Sequence, residues 1–290
     1  MEYLLHILIL MSIYAILAVS LNLVAGCLGL ISAAHAATYG VGAYVAALVG
    51  LYLHLSFPFA LLLSCFAGGV LSLLLSATSM RLSKDFFVLA TLSFRVVVFS
   101  IFNNFTALTG GPMGLAAIPR PVVLGLEVNS KAESFALSPL MAVLCCGAVF
   151  RVQASPFGRV LTVIREDEIL AKSYGKNAFY FKAVAFFIGS AMAAAAGAIY
   201  ALYIGYIEPT GFSVQESVLI IAMVVLGGAG GSWGPLLGAV TLVALPEALR
   251  FAGFSGPGAA HWRQFLYGGL LVLVAMVRPR GLLGRHGFGS

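Results

Sequence analysis

A chain of 290 residues that is 61% hydrophobic and 9% charged, with a mean hydropathy of +1.04, is not a soluble domain; soluble domains carry roughly 25% charged residues. Its formal net charge of +6 comes from basic residues gathered in loops. No basic stripe interleaved with aromatics marks a nucleic-acid surface, so the charge reads as orientation against anionic lipid.

At about 20 residues per crossing, the length allows roughly nine or ten membrane helices and no sizeable soluble domain. The four cysteines, Cys27, Cys65, Cys145 and Cys146, lie in apolar runs without Cys-x-x-Cys or Cys/His spacing. They read as small buried hydrophobes, and neither a metal nor a cofactor is expected.

In chain order, a first helix is expected over about Tyr3–Val24. It lacks the basic leader of a secretory signal and reads as a retained membrane helix. Gly26-Cys27-Leu28-Gly29-Leu30 then interrupts the apolar pattern, and Ser32, His35, Tyr39, Gly40 and Gly42 follow. A second helix is expected over about Ala33–Leu53. Interrupted backbone at membrane depth survives only where protein or water satisfies it. Residues 22–44 are therefore either a membrane-edge turn or a discontinuous helix lining a cavity. Asn22, Ser32, His35 and Tyr39 are candidate pathway residues. The competing readings are a cross-link between helices for Asn22 and a side chain bonded at a helix end for His35.

Pro58 opens a third helix ending near Met80, and Arg81, Lys84 and Asp85 make a basic turn placed inside. A fourth helix runs from Phe86 to about Phe102, with Arg95 in mid-run. An arginine at that depth costs about 2.5–3.5 kcal/mol on insertion scales, so Arg95 faces protein or water, as a pathway residue or an ion-pair member. Residues 103–137 are polar and turn-rich, with Thr109-Gly110-Gly111-Pro112-Met113-Gly114 at their centre. They read as an outer-face segment that receives substrate or a binding protein, or as a plain external loop.

A short fifth helix is expected over about Ser138–Phe150 and a sixth over about Ala183–Ile204, whose Gly189, Ala193–Ala196 and Gly197 form a small-residue surface. Beyond an outer turn at Glu208–Gly211, two short apolar arms, Gln215–Leu226 and Leu236–Leu249, flank Gly227-Gly228-Ala229-Gly230-Gly231-Ser232-Trp233-Gly234-Pro235. A re-entrant pair is one reading of them. A further outer turn at 250–263, a last helix over about Gln264–Val277 and a basic tail from Arg278 complete the chain.

The charged stretch at 151–182 holds Arg151, Arg159, Arg165, Lys172, Lys176 and Lys182 beside Glu166, Asp167 and Glu168. Its basic excess places it in the cytoplasm. Ser155 before Pro156 is a helix start, Val160, Leu161, Ile164 and Ala171 recur on one side, and Gly175 is a helix end. Glu168 and Lys172 are spaced for an i,i+4 pair. The stretch is either a solvated connector or an amphipathic helix that a soluble partner grips. With 81–85, 151–182 and 278–285 inside, about nine crossings with the amino terminus outside and the carboxyl terminus cytoplasmic satisfy the charge pattern.

Chemistry-bearing motifs are missing. There is no G-x-x-x-x-G-K-[ST], no G-x-S-x-G and no H-E-x-x-H. Glu216 and Glu247 fall near predicted helix ends, not in a mid-membrane relay, which argues against a proton-driven carrier and a membrane enzyme. A stand-alone secondary transporter of small polar solutes is the alternative reading.

Gly158-Arg159-Val160-Leu161-Thr162-Val163-Ile164-Arg165-Glu166-Asp167-Glu168, with Tyr174-Gly175-Lys176-Asn177, resembles the cytoplasmic signature of the LivM-type permease subunit of branched-chain amino-acid ABC importers. Leu21–Gly26, Gly29–Ser32, His35–Ala37, Gly40–Tyr44, Leu108–Leu115, Gly227–Pro235 and Arg278–Gly281 extend the resemblance across nearly the whole chain. It implies an all-α polytopic bundle of about nine transmembrane helices, with glycine-broken helices and a cytoplasmic coupling helix. Residues 1–290 would form one permease domain, with the coupling loop at about 152–182. It also implies a role in the bacterial inner membrane with two cytoplasmic ATPase subunits, a second related permease subunit and a periplasmic substrate-binding protein. Gly158, Arg159, Arg165, Glu166, Asp167 and Glu168 would couple to the ATPases. Substrates across such relatives include branched-chain amino acids, amides, urea and other small amino acids.

Overall fold

The computed structural model describes residues 2–79, 84–120, 131–251 and 281–283, with short pieces at 122–123, 126–127, 268–269 and 276. The described residues hold eleven α-helices. The first four are α1 (Glu2–Ala25), α2 (His35–Leu48), α3 (Phe57–Ser79) and α4 (Lys84–Asn104). A π-helical turn, Val49–Leu53, prolongs α2. Next come α5 (Thr106–Thr109), α6 (Lys131–Ala154), α7 (Pro156–Glu166) and α8 (Glu168–Ser173). The last three are α9 (Ala178–Ile204), α10 (Val214–Gly227) and α11 (Gly234–Phe251). The described β-structure is a small antiparallel hairpin, β1 (Val122–Val123) with β2 (Leu126–Glu127), and a bridge between Leu115 and Ile207.

Burial sorts the helices into a core and a rim. Every residue of α1 from Ala15 to Ala25 is buried, and α1 packs against α6, α9, α10 and α11. A helix apolar on all sides belongs in the interior. By contrast, α3, α4 and α6 turn Phe59, Leu62, Phe66, Val96, Val97, Ile101, Val143 and Leu144 outward. Such an apolar exterior is matched to hydrocarbon.

The core closes on small residues. A Cβ on Gly197 of α9 would lie 2.0 Å from the Tyr39 carbonyl oxygen of α2, and one on Gly42 would lie 2.1 Å from the Ala194 carbonyl oxygen. These backbones meet without side chains between them, the packing that lipid-embedded helices use in place of a hydrophobic drive.

Among the described residues seven helices are long and apolar enough to cross a membrane, ending with Ala178–Ile204 and Pro209–Gly227. The expected nine include a turn at 250–263 and a helix over 264–277 that lie largely outside the described residues, as do the basic turn at 81–83 and the tail at 278–280. Several expected boundaries are corrected. The fifth long helix starts at Lys131, not Ser138, and carries Pro139 inside it. Ser-Pro looks like a helix start, yet proline is tolerated within membrane helices whose neighbours satisfy the freed carbonyl. The arm beginning at Gln215 is lengthened by a 3-10 turn, Pro209–Phe212, so that 209–227 reaches 19 residues. Its return, α11, has 18 residues with Pro246 inside, and its apolar part is the shorter Gly234–Glu247. The single amphipathic helix expected after Ser155 is two helices that break at Asp167.

The glycine packing gives a direct test. Replacing Gly197 by valine drives two backbones apart and is expected to destabilise the fold by about 3 kcal/mol or more. Thermal unfolding of the detergent-solubilised protein reads this, while Ala198→Ser on the same helix serves as the mild control.

Candidate functional site

The two interrupted segments of the chain come together in space. The Asn22 side chain, near the end of α1, donates to the Gly231 carbonyl at 2.9 Å and accepts from the Gly230 N–H at 3.0 Å. Its amide thereby supplies the bonds that the glycine turn between α10 and α11 cannot make internally. Gly26 packs against this pair so closely that a Cβ would meet Asn22 Oδ1 at 2.1 Å and the Gly230 nitrogen at 2.6 Å. Gly228 and Gly230 hold φ of 101° and 79°, a conformation side chains resist. The far side of the turn is closed by the N–H groups of Leu282 and Leu283, which donate to the carbonyls of Leu226 and Gly227, both at 2.9 Å. Ser232 donates to Gln153 at 2.9 Å and so ties the turn to the end of α6.

Arg165 on α7 reaches the same place. Its guanidinium donates to the Gly26 carbonyl, and its stem lies over Gly29, where φ is 68°. The helix on the charged stretch is thus wired to the break between α1 and α2.

The polar candidates near that break have distinct surroundings. His35 is buried at the first residue of α2, with Nε2 2.8 Å from Ser20 Oγ. Ser20 directs its hydroxyl proton to the Leu17 carbonyl, so the imidazole donates. Ser32 Oγ accepts from the Ala34 N–H at 3.3 Å. Tyr39 is buried among Tyr200 and Phe212, at ring separations of 5.7 and 5.2 Å. Arg95 is 4% exposed, and its Nε is enclosed without a partner. Glu216, set aside in the sequence as a helix-end acid, does lie in the first turn of α10, but there it is hydrogen-bonded to Tyr14 in the middle of α1, a pairing that sequence reasoning misses. A single acid in an apolar run was the available signal.

The charged stretch forms a compact knob. Ser155 caps α7 by accepting from the Gly158 N–H, with Pro156 at the first helical position. Asp167 adopts extended backbone (φ −149°, ψ 106°) and accepts from the N–H groups of Ile169 and Leu170, ending one helix and capping the next. A Cβ on Gly158 would lie 2.3 Å from the Gln153 carbonyl oxygen, so this glycine lets α7 fold back tightly on α6. Leu161, Ile164 and Ala171 are buried beneath the knob. Glu168 pairs with Lys172 at 3.0 Å and with the largely buried Lys182 of α9 at 2.5 Å. Arg159 and Glu166 are exposed, next to exposed Val163, Ile169, Leu170 and Tyr174.

A bundle with two stacked glycine breaks, joined to a charged helical knob, is the architecture expected of a transport permease. A profile of the family described as "Branched-chain amino acid transport system / permease component" matches residues 3–275. The chain belongs to that family. It is therefore a non-catalytic permease component of a branched-chain amino-acid ABC transport system. Among relatives, the high-affinity branched-chain amino acid transport system permease protein LivM of Salmonella typhimurium is 33% identical over 93% of this chain and 68% of that protein. LivM of Escherichia coli K12 gives the same identity and coverage. LivH of Escherichia coli K12 is 28% identical over 94% of this chain and 92% of that protein.

The Glu168 pairing makes the knob acid-sensitive. Burial alone raises its carboxyl, but hydrogen bonds and charge contacts with Lys182 and Lys172 hold it below the ordinary carboxylate range. A depressed folded-state value stabilises the knob above the unfolded carboxylate value, and that contribution is lost as pH falls through the folded one. Amide protection factors over residues 168–182, corrected for the intrinsic exchange rate at each pH, are expected to fall on acidification below about pH 4. Glu168→Gln should show that lower protection already at neutral pH and little further change with acid.

Proposed function

We propose that this chain is one of two permease subunits of an importer in the bacterial inner membrane, moving branched-chain or related small amino acids inward. About nine crossings, amino terminus outside and carboxyl terminus cytoplasmic, form a single permease domain over residues 1–290. A periplasmic binding protein delivers substrate to the outer face, where the 105–120 segment is held to Ile207 by the Leu115 bridge. Two cytoplasmic ATPase subunits grip the α7–α8 knob, and a second related permease completes the pathway. Asn22, Ser32, His35, Tyr39 and Arg95 lie along or beside the route.

One observation carries the reading: an exposed face of charged and apolar side chains on α7 and α8 is joined through α7 to a buried helix break. Arg159, Val163, Glu166, Ile169, Leu170 and Tyr174 form the exposed face. Arg165 leaves the other side of α7 for the Gly26 carbonyl. Movement imposed on the knob by a closing ATPase reaches the α1–α2 break through rigid elements, the physical requirement for coupling between sites. Within the coupling set, Arg159 and Glu166 meet the partner. Gly158, Arg165, Asp167 and Glu168 shape the knob and anchor it to the membrane helices.

The test is charge reversal in the assembled transporter. Arg159→Glu with Glu166→Lys is expected to cut both binding-protein-stimulated ATP hydrolysis and uptake by about tenfold, since docking charges mispaired at an interface cost several kcal/mol. Unchanged stimulation and uptake would reject the docking assignment. Uptake of solute by the permease alone under an ion gradient would favour a secondary transporter.

A further inference from the structure

A buried cation without a counter-charge lies in the middle of α4. Arg95 shares a face of that helix with Thr91, Val98 and Phe102, all buried. Its Nε is enclosed without a hydrogen-bond partner, and the ion pairs found among the described residues do not include it. A charge in that position at bilayer depth requires a compensating group, and such residues mark substrate or ion pathways.

Two contacts fix what this face looks at. Thr91, one turn before Arg95, accepts from the Ala33 N–H at 3.1 Å. Phe102, two turns after it, packs on Gly40. Arg95 therefore stands opposite the opening turns of α2. Side chains lean toward the amino end of their own helix. The long arginine stem thus carries its guanidinium back toward the level of Thr91, where α2 begins.

The start of α2 is itself unfilled. Its cap position, Ala34, has no side chain to offer. Ser32 Oγ takes the Ala34 N–H, and the Ala37 and Thr38 N–H groups bond to the Ala34 carbonyl. The first turn of α2 is thus completed without any charged or carboxylate cap. A helix amino terminus carries partial positive charge and orphan donors that favour an anion. Broken membrane helices in transporters aim such ends at anionic groups of the solute. Ala33 is also clamped from the other side, where Ser217 of α10 donates to its carbonyl at 2.9 Å, so the donors are held in place.

We propose that Arg95 and the uncapped first turn of α2 form the subsite for the carboxylate of the amino acid in transit. The proposal rests on the permease reading above and adds which group of the solute is held and where. The guanidinium fork matches a carboxylate, and the positive end of the α2 dipole favours the same charge.

The experiment uses the complete transporter in proteoliposomes, with its companion permease, ATPases and binding protein, and leucine as the probe. Loss of a charge-assisted carboxylate contact predicts about tenfold or greater loss of leucine uptake in Arg95→Met, with stimulated ATP hydrolysis retained and partial recovery in Arg95→Lys. Arg95→Met importing leucine at the wild-type rate overturns the proposal. Should Arg95→Met fail to assemble, the wild-type complex in nanodiscs decides, loaded with leucine labelled with carbon-13 at the carboxylate and grown with nitrogen-15 guanidino arginine. A carbon–nitrogen dipolar coupling that disappears in Arg95→Lys supports the subsite, and no coupling overturns it. A wild-type transporter that imports neither leucine nor another small amino acid would count against the amino-acid substrate proposed above, and would overturn the carboxylate subsite with it.

Discussion

The structure depends on the satisfaction of backbone polar groups at two glycine breaks that meet inside the bundle. Hydrocarbon offers no water to open carbonyls and N–H groups. Asn22 answers this by bonding both sides of the Gly230–Gly231 turn, and Arg165 answers it at Gly26. Each break is thus completed by residues distant in the chain, so neither is an independent local feature. The strands of chain around them, 281–283 included, are held by the same accounting.

In this arrangement the charged stretch makes more bonds to the bundle than a solvated connector needs. A connector satisfying the positive-inside pattern needs only basic charge. Here Arg165 turns inward, Glu168 is committed to Lys172 and Lys182, and Asp167 is spent on a cap. What remains outward is a mixed face of Arg159, Glu166, Lys176 and exposed apolar side chains. The stiffness of the knob and its connection to the break come from one set of bonds.

Much of this was legible in the sequence because it is local. Ser155-Pro156, the i,i+4 spacing of Glu168 and Lys172, and glycines that interrupt apolar runs all act within a few residues. The break at Asp167 was not legible, because a short carboxylate bonds neighbouring N–H groups in a cap as readily as it sits in a helix. The meeting of the two glycine breaks was hidden for a different reason: Asn22 and Gly230 lie 208 positions apart, and no periodicity encodes that pairing. Tyr14 and Glu216 escaped in the same way, and the helix preceding Pro139 escaped because proline in lipid is a weaker stop than in water.

The burial of α1 also bears on how the polypeptide is made. Tyr3 bonds Glu247 across 244 positions, His6 meets Tyr203 across 197, and Asn22 waits for the Gly230 turn. Tyr3, His6 and Asn22 of α1 thus leave the ribosome well before the partners they meet in the folded bundle. Biogenesis of this subunit must shelter that helix within the insertion machinery, or hold it loosely in lipid, until the later segments arrive.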